Sequence, residues 1–255
     1  MALSLNDGQS IGKIATGDYK GKIIYIDADQ KAAGQHYNEI KLGKNTLTPL
    51  PDMDKRGIYY VAGFSGSGKS YYASQLAMAY KKVYPDRLIY FFSRTPWEDD
   101  PAYKKLKPIQ VDIAKVLGDN PIQSEDIEKN SLVIFDDVAT LNDKNLQKAV
   151  LHLMTDIMEV GRKMGLTLII TNHLINPTDK NFGRTVMNEL TSLTVFPTGS
   201  YSQVYYALNT YFGMTKKEVN RIMNLPTRWI TVYKTAPLVV MHQHGCFTLN
   251  KEFVE

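Results

Sequence analysis

The stretch GFSGSGKS, Gly63 to Ser70, follows the apolar run Ile58-Tyr59-Tyr60-Val61-Ala62 and leads into Ser70 to Lys82, a segment with neither Gly nor Pro. A strand, a tight glycine-rich loop and a helix in that order satisfy such a pattern. The spacing is G-x-x-x-x-G-K-[ST], with Gly63, Gly68, Lys69 and Ser70 at its fixed positions. Glycines allow the backbone to fold back so that several N–H groups converge on an anion, and the positive end of the following helix adds to their pull. Lys69 is predicted to reach the terminal phosphates of a nucleotide, and the Ser70 hydroxyl to meet Mg²⁺. Ser65, Gly66, Ser67 and Tyr71 complete the residues expected to touch the nucleotide. The alternative is a glycine-rich turn without a ligand. At average composition the motif arises by chance in a chain of this size roughly once in a hundred, and the strand–loop–helix context makes that rarer still.

From Arg56 onward, short apolar strands alternate with helices. The candidates are Ile58–Ala62, Leu88–Ser93, Leu132–Asp136, Leu166–Thr171 and Leu193–Phe196. Such alternation predicts an α/β fold with a central, mainly parallel sheet flanked by helices. Leu146, Val150, Leu153, Ile157 and Val160 recur at steps of three and four, the core-facing stripe of a helix. Thr215 to Glu218 reads as a capping box, with Met214 and Val219 spaced for a hydrophobic staple. After Pro226 the chain predicts antiparallel strands: RWITVYK, then LVVMH and CFTL around a His244-Gly245 turn. Residues 1–52 read as a small β-leaning extension, with strands at Ile23–Ala28 and Asn38–Leu42. Residues 53–255 read as the P-loop domain.

Composition adds bounds rather than direction. At 255 residues, with 44% hydrophobic and 22% charged residues, the chain has the makings of a substantial core. A net charge of +4 is compatible with a polyanionic partner. The single cysteine, Cys246, excludes an internal disulfide framework. The start MALSLNDGQSIGK lacks a secretory layout and no apolar run reaches a membrane-spanning length, so a soluble intracellular protein is expected.

Two further strands end in polar residues. SLVIFDDV places Asp136 and Asp137 at a strand end, where Asp136 would share the Mg²⁺ shell with Ser70 and Asp137 would polarise an attacking water. A solvated Asp-Asp turn is the plainer alternative. GLTLIITNH, Gly165 to His173, puts Asn172 near its end, placed to sense the γ-phosphate or orient the water, or simply to make a turn. Arg162, behind Gly161 at the end of the amphipathic helix, and Arg184, in the loop NFGR, are the two candidates for an arginine finger acting on a neighbouring subunit's nucleotide. The plainer alternative for Arg162 is a cation that favours a helix C-terminus. His242, His244 and Cys246 alternate along a hairpin, yet no fourth ligand accompanies them, and metal is not favoured there.

Taken in order, these segments resemble the FtsK–HerA group of P-loop motor ATPases. The resemblance is strongest to the genome-packaging ATPases of nucleocytoplasmic large DNA viruses (the poxvirus-type enzyme) and their relatives. It runs from about Gly57 to Leu249 and is carried by GFSGSGKS, LIYFFSR with EDDPAYKKL, VIFDD, GRKMGLTLIITNH and YFGMTKKEVNRIMNLPTRWITVYKTAP. It implies a RecA-like sheet with the fourth strand inserted between the first and third, and ATP with Mg²⁺ as cofactors. It further implies a homo-oligomeric ring with nucleotide at each interface, double-stranded DNA in the pore, and capsid vertex proteins as candidate partners. Lys69, Ser70, Asp136 and Asp137 take the nucleotide and Mg²⁺ roles, and Asn172 stands where many relatives carry Gln. Lys104, Lys105, Lys107, Lys180 and Arg184 are candidate contacts to the DNA backbone. The competing functions are a small-molecule or nucleotide kinase, which lacks an arginine-rich lid here, a phage assembly or extrusion ATPase, and a non-hydrolysing nucleotide switch.

Overall fold

The structure is a computed structural model describing residues 1–249. The chain opens with β1 (Ala2–Ser4), β2 (Gln9–Ile14), β3 (Ile23–Asp27), β4 (Glu39–Lys41) and β5 (Leu47–Pro49). It continues through β6 (Ile58–Ala62), α1 (Lys69–Val83), β7 (Ile89–Ser93), β8 (Ile109–Val111), β9 (Leu132–Asp136), α2 (Lys144–Glu159), β10 (Thr167–Asn172) and α3 (Lys180–Glu189). The last elements are β11 (Ser192–Val195), α4 (Tyr201–Phe212), α5 (Lys216–Met223), β12 (Ile230–Tyr233), β13 (Leu238–His242) and β14 (Gly245–Leu249). Contacts divide the chain into two compact units: Lys55–Thr191, and Met1–Asp54 together with the segment from Ser192 on.

In Lys55–Thr191, five parallel strands run in the order β6-β10-β9-β7-β8. The fourth of the strands read from the sequence, β10, thus lies between the first, β6, and the third, β9, as a RecA-like P-loop sheet requires. β6 and β10 are buried at every residue, which is why they read as unbroken apolar runs instead of alternating ones. α1 lays Tyr72, Ala73, Leu76, Ala77 and Tyr80 against the sheet, positions three and four apart on one helical face. α2 buries Val150, Leu153, Met154 and Ile157 along one face. Its stripe is shorter than the sequence suggests, because Val160 is the C-cap and turns outward, 41% exposed. At Gly161 a Cβ would lie 2.3 Å from the Ile157 carbonyl oxygen, so the chain can close the helix only through glycine. The guanidinium of Arg56 donates to the Ile157 and Met158 carbonyls, satisfying acceptors at that helix end.

The other unit holds the antiparallel sheet β1-β3-β2-β5 and the run of antiparallel strands β4-β14-β13-β12-β11. Leu3, Ile11, Ile14, Ile24 and Ile26 share one apolar core with Tyr233, Val239, Met241 and Cys246. The N-terminal strands, read as an extension ending near residue 52, therefore pack with the C-terminal hairpins. The capping box forms as expected: Glu218 N–H donates to Thr215 Oγ1 at 3.3 Å, and Thr215 N–H donates to Glu218 Oε2 at 2.7 Å. The Cys246 thiol is buried in the core, and His244 Nδ1 donates to the Asn45 carbonyl. Among the described residues no helix is long and apolar enough to cross a membrane.

Candidate functional site

Parallel registers bring the C-terminal ends of the central strands into line, pairing Asn172 with Ala62, Thr171 with Asp136 and Ser93 with Asp136. The glycine-rich loop leaves β6 at this end and is tied to β10 where Gly63 N–H donates to the Asn172 carbonyl, 3.0 Å. Gly66 and Gly68 have φ of 78° and 103°, the left-handed region that lets the loop curl. A Cβ on Gly66 would meet no atom within 4 Å, so backbone conformation, not crowding, requires glycine there. Gly68 starts α1 with no side-chain cap, and the first turn carries no acidic residue. The leading N–H groups of α1 thus have no carboxylate of their own to satisfy them. Ser67 Oγ is buried without a hydrogen-bond partner among the described residues. An open left-handed loop, an uncapped helix start and an unsatisfied buried hydroxyl together fit a polyphosphate. Ser65, Ser70 and Tyr71 line the same loop and first turn, with Tyr71 65% exposed.

β9 delivers the two carboxylates, and each is held differently. Asp136 Oδ1 accepts from Tyr103 Oη at 3.0 Å and from Thr171 Oγ1 at 2.9 Å. Burial pushes the Asp136 carboxyl up, aided by the neighbouring Asp137 charge and opposed by those two hydroxyls. Tyr103 is fully buried, its ring edge-on to Phe91 with centroids 4.8 Å apart. Asp137 adopts φ 50°, ψ 29°, a left-handed conformation unusual for any residue but glycine. Its N–H donates to Thr171 Oγ1 at 3.1 Å, and the turn carries its carboxylate toward the loop. Asp137 Oδ2 lies 3.8 Å from Lys69 Nζ and 3.1 Å from His173 Nε2. Lys69, only 6% exposed, also approaches the Phe64 carbonyl and His173 Nδ1, both at 3.4 Å.

Asn172 is buried, and its Oδ1 accepts from Leu174 N–H at 3.2 Å within the turn that ends β10. Tyr60 Oη braces the same turn through the Leu174 carbonyl at 2.8 Å. The side chain that meets the acid and the lysine is that of His173, the first residue past β10, which no motif in the sequence singles out. Tyr103 and Thr171 were likewise not read, since nothing local marks a tyrosine or threonine as the partner of a distant carboxylate.

The two arginines lie elsewhere. Arg162 is exposed in the turn after α2, not on the helix itself, and leads into the opposite end of β10 from Asn172. At about 3.3 Å per residue the strand sets about 17 Å between those ends. Arg184 is exposed on α3, a helix where the sequence suggested a loop. Asp179 caps α3 by accepting from Phe182 N–H at 2.9 Å, and Gly183, a poor helix former that masks the helix in the sequence, packs on Pro177. The structure therefore gathers Lys69, Asp137 and Asn172 at one end of the sheet, and leaves Arg162 away from it.

No family model matches the chain. "Uncharacterized protein V3" of Sputnik virophage is 36% identical over 248 residues, spanning 97% of this chain and 98% of that protein. The chain belongs to that protein's family. Among solved structures, the cytoplasmic domain of the type VII secretion ATPase EccC of Thermomonospora curvata superposes with a TM-score of 0.51. It is 14% identical and aligns with 94% of this chain and 29% of its own. At that identity the likeness concerns the fold alone: this member of the virophage protein's family has a P-loop NTPase fold. B204, the DNA-packaging ATPase of Sulfolobus turreted icosahedral virus, gives a TM-score of 0.49 at 11% identity, over 75% of this chain and 98% of that one.

Proposed function

We propose that this chain is an Mg²⁺-dependent ATPase whose turnover moves double-stranded DNA, packaging a viral genome. The observation that carries the catalytic half is the meeting of Lys69 with Asp137 beside an uncapped helix start, with Asp136 held one residue away. Charge placement favours hydrolysis over storage of a nucleotide, because one carboxylate is buried and fixed while the next points into the loop. The packaging half draws support from the motif resemblance, at the finer level of poxvirus-type enzymes, and from a family that includes a virophage protein.

In this reading the loop N–H groups and Lys69 bind the phosphates, and Ser67 supplies a further donor from its buried hydroxyl. Ser70 and Asp136 would hold Mg²⁺, which neutralises phosphate charge when bound. Tyr103 and Thr171 fix the rotamer of Asp136 by occupying Oδ1. Asp137 accepts the proton of the attacking water. The far side of the γ-phosphate needs a cation that this loop does not supply. Arg162 or Arg184 from a neighbouring subunit provides it, which makes a ring the working form. Exposed Lys104, Lys105, Lys107, Lys180 and Arg184 contact the DNA backbone without reading sequence. Assembly would take place in the host cytoplasm or at the virion, with a capsid vertex protein as dock.

The test is ATP turnover with and without long double-stranded DNA across a salt series. Stimulation that fades as salt rises is expected, because backbone contacts release counterions. Consumption of a small phosphate acceptor in place of water would overturn the reading in favour of a kinase.

A further inference from the structure

We infer that His173 is the positioning residue of this site, orienting Asp137 and sharing Lys69 with it; the inference rests on the ATPase reading above. Lys69 carries only donors, so its 3.4 Å approach to Nδ1 makes that nitrogen the acceptor. The ring proton then lies on Nε2, which donates to Asp137 Oδ2 at 3.1 Å. Lys69, His173 and Asp137 thus close a three-membered ring of contacts, completed by the 3.8 Å Lys69–Asp137 pair. Of the imidazole and the Lys69 ammonium, the imidazole is the nearer to Oδ2, and His173 directly follows β10, whose pairing with β6 and β9 fixes the chain up to Asn172. His173 and Asp137 side chains are 37% and 31% exposed, which puts both at the open mouth of the loop. Asn172, read from the sequence as a sensor of the γ-phosphate, is turned inward to Leu174.

The arrangement has a consequence for binding as well as rate. Lys69 divides its charge between Phe64, His173 and Asp137, yet it is also the group that must meet the terminal phosphates. Removing the imidazole frees Lys69 of one acceptor and Asp137 of its nearer donor. Nucleotide affinity is then unchanged or tighter, while the chemical step slows, because a carboxylate that has lost its nearer donor is held less firmly toward the water.

The experiment measures steady-state ATP hydrolysis and binding of a fluorescent ATP analogue for the wild type, His173→Leu, His173→Gln and Asp137→Asn. His173→Leu should lose on the order of 10²-fold in kcat, with KM and analogue affinity unchanged or improved. His173→Gln, whose amide can still donate to Asp137, should recover most of the loss. The double variant His173→Leu with Asp137→Asn should be no slower than Asp137→Asn alone, since both substitutions remove one function. Wild-type kcat in His173→Leu would overturn the inference while leaving the ATPase intact. So would a Gln variant that is as slow as Leu and binds the analogue weakly, because that is the behaviour of a purely structural residue. Should the Leu variant fail to fold, His173→Ala takes its place: a fall in kcat alone supports the role, and a fall in affinity alone sinks it. An inactive wild type would overturn the ATPase reading and this inference together.

Discussion

The two compact units treat their buried polar groups in opposite ways. In the unit made from the chain's two ends, such groups bond to each other across strands. Thr194 and Thr231 hydroxyls meet at 2.9 Å on paired strands, Tyr233 Oη donates to the Ile11 carbonyl, and Ser10 Oγ donates to the Pro51 carbonyl while accepting from Met53 N–H. In Lys55–Thr191, polar groups collect at one end of a parallel sheet and are held short of full satisfaction. Ser67 Oγ has no partner among the described residues, Lys69 is divided among three acceptors, and Asp137 adopts a left-handed backbone. Groups of the first kind stabilise a fold; groups of the second kind are poised for something else to bind. Substitutions should therefore separate cleanly, costing activity in one unit and stability in the other.

Lys69→Ala should show the largest effect. It removes the cation of the loop from a buried position, and ATP turnover should fall by about 10³-fold, the upper range for loss of one transition-state donor. The thermal midpoint should stay near that of the wild type, because the lysine's own contacts are long. A variant that melts markedly earlier would show that this end of the sheet is structural, and the contrast would fail. The mirror experiment is Ile24→Ala in the N-terminal strands. It empties a fully buried site and should cost about 2–5 kcal/mol by denaturant titration. Turnover per folded molecule should hold, and a parallel loss of kcat would mean the units are coupled.

Asp136→Asn and Asp137→Asn sharpen the comparison inside the site. Asp136, locked by two hydroxyls, should control Mg²⁺-dependent nucleotide binding, since an amide is a poorer ligand for a hard cation. Asp137→Asn should bind nucleotide almost normally and slow hydrolysis by about 10²-fold. Equal losses of affinity in both, measured by titration with and without Mg²⁺, would erase the proposed division.

What was legible in the sequence follows the same division. β6, β9 and β10 stood out because strands covered on both faces need unbroken apolar runs, and the loop stood out because its glycines are fixed by backbone geometry. α3 was hidden by Gly183 and Asn181 within a helix of ten residues, although Asp179 three positions ahead of Phe182 was a readable cap. The short β1, β2 and β5 carry Ser, Gly and Pro, so no alternation announces them. His173 was invisible for a deeper reason. Its partners lie 36 and 104 positions away in the chain, and only the adjacency of β9 and β10 with the loop turns a strand-end histidine into part of a site.

The smallest expected effect concerns Asp27 and tests whether the unit from the chain ends is stabilised by satisfied polar groups. Burial alone would raise this carboxyl, but N–H groups of Ala32 and Lys31 and the His36 ring outweigh it and hold it down at about 2, against an ordinary 3.8. Asp27 Oδ2 accepts from Ala32 N–H at 2.8 Å and from His36 Nε2 at 2.9 Å. A carboxyl whose folded value lies below its unfolded one stabilises the fold fully above about pH 4, and that stabilisation is lost as pH falls through about 2. Asp136 works with the opposite sign, since burial raises it and protonation relieves the cost. A single acid titration of the wild type therefore mixes the two. The difference between the wild type and Asp27→Asn isolates Asp27 and its contacts: the urea midpoint gap should be fully open at about pH 5 and close between about pH 4 and 2. A gap that persists at low pH would mean the Asp27 contacts act through shape and not charge, and the rule that this unit rests on paired polar groups would lose its best-placed example.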